Sequence, residues 1–188
     1  MHGTALARAR SVRLARELRR KPLSAINRLR YPPMPPRLLF DLSQIDLDGT
    51  LHNQAAIREQ NPQRGDMEHL DAIVWSEGPL ILGRKVVRDD EFWIPGHIPG
   101  RPLMPGVIMM EAAAQVCSFH TKTFVGWDGF IGFGGMEDVK FRASVEPGCT
   151  LYILCELFDQ RHRRVKGRTQ GIVNGNIVFE AVIIGTKM

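Results

Sequence analysis

Two periodicities divide the chain. Residues 107–121 contain no helix breaker and are apolar almost all round. Ile108, Met109, Ala112, Ala113, Val116, Cys117 and Phe119 wrap most of the circumference, which predicts a buried helix rather than an amphipathic one. On either side the pattern is that of strands. His69–Trp75 and Leu80–Val87 are strand-length, rich in β-formers and separated by the turn signal Gly78-Pro79. Val139, Phe141, Ala143 and Val145 alternate with Lys140, Arg142 and Ser144, the period of a half-buried strand. Pro147-Gly148 turns the chain, Leu151–Phe158 reads as a strand, and Val165–Val173 with Ile177–Ile184 reads as a hairpin around Asn174-Gly175-Asn176. A short helix is predicted around Asn53–Gln60. Between Pro95 and Gly106 the prolines and glycines forbid regular structure, and Pro105 falls near the start of the long helix. The expectation is an α+β domain: five or six antiparallel strands curled round one apolar helix, each burying the apolar face of the other.

Composition narrows the class. The 188 residues suit one ordinary domain with a tail, and 44% hydrophobic with 24% charged residues excludes a collagen, a fully disordered chain and a disulfide-stapled miniprotein. The net charge of +5 is unevenly spread: residues 1–38 hold ten Lys/Arg and one acid, Glu17, so the rest is mildly acidic. Residues 1–36 read as a basic arm ending in the stiff, extended linker Tyr31-Pro32-Pro33-Met34-Pro35-Pro36, and 37–188 as a single domain. For the arm, three readings stand: a disordered tail, an organelle transit segment, or a start at Met34. The longest apolar stretch, Val107 to Phe119, contains Glu111 and Gln115, so no membrane span is expected. Cys117, Cys149 and Cys155 show no paired spacing, which suggests free thiols in a reducing, cytoplasmic setting (organellar if the arm is a transit peptide).

Candidate chemistry concentrates between Gly96 and Gln115. His97 sits in a proline-stiffened loop, where its ring can be held. Nine residues on, a helix begins, and its first amides have no intrahelical partner and carry the positive end of the dipole. The N–H groups of Gly106 and Val107 are therefore candidates to hold a carbonyl oxygen as it gains charge. Glu111, on an otherwise apolar helix, is a candidate proton donor. Gln115 lies one turn on, within hydrogen-bonding reach of it. A base, an acid and an oxyanion site suit removal of a proton next to a carbonyl and loss of a neighbouring hydroxyl. The bland alternatives are a surface histidine and a carboxylate paired for structural reasons.

This segment resembles the signature of the (3R)-hydroxyacyl-[acyl-carrier-protein] dehydratases. There a His–Phe–Pro loop leads to a Pro–Gly helix start, then to Glu–Ala and Ala–Gln. The chain matches at His97, Pro99, Pro102, Pro105, Gly106, Val107, Glu111, Ala112, Ala114 and Gln115. The likeness extends through Val139-Lys140-Phe141-Arg142, Val145-Glu146-Pro147-Gly148 and the final hairpin, covering about residues 60–188. It implies a hot-dog fold, with the sheet wrapped round the 107–121 helix. It also implies a homodimer, often a trimer of dimers, with each site built from two chains. The family's histidine maps to His97 and its acid to Glu111, with Gln115, Pro99 and Pro105 supporting. The implied reaction is dehydration of a (3R)-3-hydroxyacyl thioester, delivered by an acyl carrier protein, to the trans-2-enoyl thioester, with no dissociable cofactor. Two departures bear on the acyl-chain pocket: Ile98 stands where phenylalanine is usual, and Pro62-Gln63-Arg64-Gly65-Asp66-Met67 replaces a more aromatic Pro-His-Arg-Tyr-Pro-Phe stretch.

Alternative functions on the same fold are thioester hydrolysis and non-catalytic acyl-thioester binding. Arg161, Arg163 and Arg164, with Arg101, Lys140 and Arg142, are candidates to meet an acidic carrier protein; the competing reading is a charged strand edge that discourages edge pairing. Cys117 and His120 lie three apart on the helix, but no third ligand has metal-site spacing, and no metal is expected. The basic arm has no nucleic-acid recognition motif, and no nucleic-acid partner is expected.

Overall fold

The computed structural model of the protein describes residues 37–188; the basic arm and linker predicted for 1–36 lie outside the described residues. Seven strands form one antiparallel sheet: β1 (His52–Asn53), β2 (Ala72–Glu77), β3 (Leu80–Val86), β4 (Ile131–Phe141), β5 (Thr150–Arg161), β6 (Arg164–Val173) and β7 (Asn176–Lys187). Their order across the sheet is β1-β2-β3-β5-β6-β7-β4. Among the described residues two α-helices accompany them, α1 (Gln54–Gln60) and α2 (Gly106–His120). Helix α1 begins where predicted: the Asn53 side chain accepts the Ala56 N–H at 3.0 Å, a cap that satisfies one orphan amide.

Helix α2 lies against one face of the sheet, in the hot-dog arrangement. Met109, Met110, Ala112, Ala113, Val116, Cys117 and Phe119 are buried, joining Ile73, Ile81, Ile153, Val165 and Ile183 in one core. Close approach is set by Gly83 of β3: a Cβ there would lie 2.6 Å from Val116 Cγ2. The helix starts one residue earlier than predicted. After His120 it widens into a π-turn over Thr121–Val125, which ends at Gly126 in the left-handed region (φ 76°). The Thr121 and Thr123 hydroxyls donate to the carbonyls of Cys117 and Phe119, four residues back.

Two differences from the sequence expectation concern β4. The strand runs from Ile131 to Phe141, not from Val139 to Val145. Its register with β7 shifts twice, between Phe133 and Gly135 and between Glu137 and Lys140, and Asp138 sits at φ 53°. Beyond Phe141 the chain leaves the sheet, and the Val145 carbonyl accepts the Met104 N–H at 2.7 Å. The alternation over 139–145 thus spans a bulge and an exit rather than a strand.

The opposite face is covered as well. Leu39, Phe40, Leu42, Ile45 and Leu47 form a strap over Val74, Leu82, Leu154 and Ile172, flanked by Trp75, Tyr152 and Ile177. Phe40 packs on Trp75 with ring centroids 5.4 Å apart. Gln170 holds one end, accepting from the Leu39 N–H and donating to the Arg37 carbonyl. Arg84 holds the other, donating to the carbonyls of Leu47 and Gly49. Covering both faces explains why β5 reads as a nearly continuous apolar run at Leu151, Ile153, Leu154 and Cys155. Strand β4 forms one edge of the sheet and leaves Phe133, Met136 and Phe141 about half exposed.

Candidate active site

Pro105, extended at φ −57° and ψ 136°, sets the first turn of α2. Its carbonyl accepts from the amides of Ile108 and Met109, which leaves the Gly106 and Val107 amides at the open end of the helix. Side-chain space at Gly106 is not empty: the Phe141 ring fills it, and a Cβ there would come within 2.6 Å of Phe141 Cζ. Glycine is needed here for the approach of that ring. Val107 projects outward, 70% exposed.

Glu111 is half-buried in the second turn. Its Oε1 accepts from Gln115 Nε2 at 2.8 Å and from Gln63 Nε2 at 3.1 Å. Gln115 is buried and fully used: Nε2 also donates to the Met67 carbonyl at 2.8 Å, and Oε1 accepts the His69 N–H at 3.1 Å. Asn61 Nδ2 donates to the Gln115 carbonyl at 3.0 Å. These bonds clasp the 61–69 segment to α2 and fix the carboxyl group from two sides. Glu111 opens onto a cavity of about 140 Å³, whose wall includes Gln63, Cys117, Phe133, Ile183 and Ile184.

His97 is exposed in the loop before α2. Among the described residues its ring makes no hydrogen bond; its backbone N–H donates to the Trp93 carbonyl at 2.9 Å. The loop itself is firmly rooted. Lys85 Nζ meets Glu91 Oε1 at 2.7 Å, the Lys85 side chain buried and that of Glu91 9% exposed, and the Arg88 N–H adds a bond at 3.3 Å. Trp93 is buried in the core. Phe92 stacks on His69 with ring centroids 6.3 Å apart. Pro99 is exposed near the tip of the loop and Pro105 is buried at its base. Of the predicted site residues, one chain joins Glu111 to Gln115 at the cavity wall, with Gly106 and Val107 one turn earlier on the same helix. His97 does not line that cavity.

His69 is 1% exposed, and neither ring nitrogen has a hydrogen-bond partner. Burial pushes its pKa down and the Lys85 charge adds to this, while Glu111 and Glu91 oppose it.

Most of the predicted carrier-contact residues are already paired. Arg161 and Arg164 both meet Asp159, and Arg142 meets Glu180. Arg163 donates to the Lys187 carbonyl. Arg101 and Lys140 are exposed, without side-chain partners among the described residues. Since β5 and β6 lie inside the sheet, the basic run at 161–168 begins at a hairpin tip and does not guard an edge. Cys117 and His120 meet different partners: Cys117 faces Cys155, and His120 Nε2 lies 3.0 Å from the Gly78 carbonyl. No cluster of three potential metal ligands occurs among the described residues. No helix among them is long and apolar enough to cross a membrane.

Sequence reasoning missed Gln63, His69 and the Lys85–Glu91 pair. Gln63 carried one signal, since it lies in the segment where the family likeness departs from the usual residues. The others act through contacts that no local spacing displays.

Residues 61–182 match the model of the FabA-like domain family. A 3-hydroxyacyl-[acyl-carrier-protein] dehydratase, FabZ, of Moorella thermoacetica is 34% identical over 131 residues, covering 69% of this chain and 92% of the relative. The FabZ of Herpetosiphon aurantiacus is 37% identical over 123 residues, covering 63% and 86%. Among solved structures, the dehydratase heterocomplex ApeI:P of Xenorhabdus doucetiae superposes with a TM-score of 0.60 at 16% identity, covering 70% of this chain and 90% of that one. Cj0977, a sigma28-regulated virulence protein of Campylobacter jejuni, gives 0.57 at 14% identity, covering 77% and 96%. At these identities the two structures speak for the hot-dog fold alone.

Proposed function

The chain belongs to the FabA-like domain family, and from that premise we propose that it is a hydro-lyase that dehydrates (3R)-3-hydroxyacyl-[acyl-carrier-protein] to the trans-2-enoyl thioester in fatty acid biosynthesis. The observation that carries this reading is the Glu111 carboxyl group, gripped by Gln115 and Gln63 at the wall of a cavity lined largely by apolar side chains. Such a cavity accepts an acyl chain and presents one polar group to its hydroxyl.

In the proposed mechanism the thioester carbonyl rests on the Gly106 and Val107 amides, which stabilise the charge that gathers on its oxygen. The adjacent C2 hydrogen becomes more acidic, and His97 removes it. Glu111 protonates the departing hydroxyl at C3, which leaves as water, while Gln115 holds the carboxyl group in place. The step moves protons and a hydroxyl only, so it requires no dissociable cofactor. The acyl group arrives on the phosphopantetheine arm of the carrier protein, and of the predicted contacts Arg101 and Lys140, unpaired among the described residues, would meet its acidic surface.

Each site is proposed to combine His97 of one chain with Glu111 of the other in a homodimer. Two features support this. The cavity at Glu111 lacks His97, and β4 offers a free edge with exposed Phe133, Met136 and Phe141. The test is complementation. His97→Ala and Glu111→Gln should each lower turnover by roughly 10²–10⁴. Unfolded and refolded together, the two inactive chains form mixed dimers in which one site carries both lesions and the other carries none. With random reassortment about a quarter of parental activity returns. No recovery, with mixed dimers demonstrated by native mass spectrometry, would mean that both residues act within one chain. Full activity in either single variant would remove that residue from the mechanism.

A further inference from the structure

Six residues beyond Glu111 on α2, a pair of thiols bridges the helix and the sheet. Cys117 of α2 and Cys155 of β5 are both free and buried, with their sulfur atoms 3.2 Å apart. Room for the pair is made by Gly167 of β6, where a Cβ would stand 2.4 Å from Cys117 Sγ and 2.9 Å from Cys155 Sγ. The two thiols are not equivalent. Cys117 forms part of the wall of the Glu111 cavity, whereas Cys155 is wholly enclosed. The hydrogen bond to Cys117, followed by burial, pushes the Cys155 thiol well above its usual pKa. Cys155 therefore keeps its proton in the resting pair, while Cys117 is the thiol within reach of the cavity. A cavity of about 140 Å³ exceeds the volume of a single water several-fold, and hydrogen peroxide is little larger than water.

We propose that Cys117 and Cys155 form a dithiol modification site, in which a small peroxide entering the Glu111 cavity oxidises Cys117 and Cys155 closes the disulfide. In the first step the Cys117 sulfur attacks the peroxide; an S–O bond forms, the O–O bond breaks, and one water leaves with the thiol proton. In the second step Cys155 attacks the Cys117 sulfenic acid; the S–S bond forms, the S–O bond breaks, and a second water leaves with the Cys155 proton. Two thiols are oxidised by two electrons and one peroxide is reduced to two waters. The sulfurs must approach by about 1.2 Å to reach disulfide length. The bond ties the helix that carries Glu111 to the strand behind it.

The test needs no assay of turnover. The native full-length chain is treated with hydrogen peroxide, alkylated, and analysed by intact mass and peptide mapping. The expected result is loss of two of three thiols, a mass lower by about 2 Da before alkylation, a peptide linking residues 117 and 155, and reversal by dithiothreitol. Cys149, half-buried and apart from the pair, stays alkylatable. In Cys155→Ser, Cys117 should instead accumulate as a sulfenic acid that dimedone traps. Three intact thiols after peroxide, modification confined to Cys149, or a disulfide found only between chains would each overturn the proposal. If Cys155→Ser fails to fold, the peptide map of the parent protein decides alone.

Discussion

Replacing Gln115 with leucine tests whether the amide that steadies Glu111 also joins the 61–69 segment to α2. Leucine keeps the approximate volume and removes every donor and acceptor. The buried His69 N–H then has no acceptor, and Glu111 Oε1 loses its 2.8 Å donor. The Met67 carbonyl lies on a partly exposed residue and can turn to water. The buried bond to His69 and the half-buried one to Glu111, each broken on one side, cost roughly 1–3 kcal/mol apiece, about 2–6 kcal/mol in all. For a domain of this size the loss corresponds to a fall in Tm of about 5–20 °C, read by scanning calorimetry. Turnover should fall by roughly 10–10², because a carboxyl group that swings by about 1 Å is misplaced for proton transfer. Gln115→Glu is the companion: it keeps an acceptor for the His69 N–H but faces Glu111 with a second carboxyl group. It should retain more stability than Gln115→Leu while still losing turnover. A leucine variant within about 2 °C and threefold of the parent would refute the assignment of Gln115 as the clasp.

Lys85→Met strands the largely buried Glu91 and should cost about 3–5 kcal/mol in urea unfolding; adding Glu91→Leu should restore most of it, and no restoration would show that the two charges are not coupled. His69 and His120 both have pKa values lowered chiefly by burial, so the folded protein binds fewer protons than the unfolded chain near pH 6. Their contribution is complete above about pH 6.5 and is lost as pH falls through the lower folded values. Tm should therefore drop between pH 7.5 and 5, His69→Leu should flatten the slope, and a flat parental profile would contradict the assignment. Gly171→Ala places a Cβ 2.2 Å from Phe179 Cε1 across the β6–β7 pair and should destabilise by about 1–3 kcal/mol; Phe179→Leu in the same chain should relieve part of this, and additive losses would argue against the clash. Phe40→Asp should detach the strap and produce concentration-dependent aggregation in light scattering, whereas a monodisperse variant of unchanged Tm would mean the strap adds little.

The elements that sequence displays best are uninterrupted runs of apolar or β-forming residues bounded by turn or breaker signals. Helix α2 and strands β2, β3 and β5–β7 are of this kind, and each lies within a few residues of the range its sequence predicts. The first half of β4 was hidden because Gly132, Gly134 and Gly135 weaken its strand signal. Gly134 is small for a reason only the fold reveals: a Cβ would lie 2.4 Å from the Thr186 hydroxyl oxygen on β7. Leu38-Leu39-Phe40 is an apolar run in the sequence, but its target, an outer sheet face assembled from β2, β3, β5, β6 and β7, is not legible there. The same division holds at the site. The Glu111–Gln115 bond follows from helical spacing. The bonds to Gln63 and His69 span 48 and 46 residues, and the two thiols lie 38 apart, distances at which spacing says nothing about contact. Charge was legible and its pairing was not, because Asp159 and Glu137 answer Arg164 and Lys166 only once the register of neighbouring strands is fixed.

The strap over the outer sheet face separates solubility from chemistry. It lies before residue 61, where the match to the family model begins, and on the far side of the sheet from Glu111. Its apolar residues shield Val74, Trp75, Leu82, Tyr152 and Ile172, a strip that would otherwise invite another sheet to stack on it. A protease that nicks the exposed turns between Asp41 and Thr50 could thus spare the active-site residues and still bring the protein out of solution. Natural variation in this segment would then be filtered by colloidal behaviour in a crowded cell, while variation around Gln63, Glu111 and Gln115 is filtered by turnover.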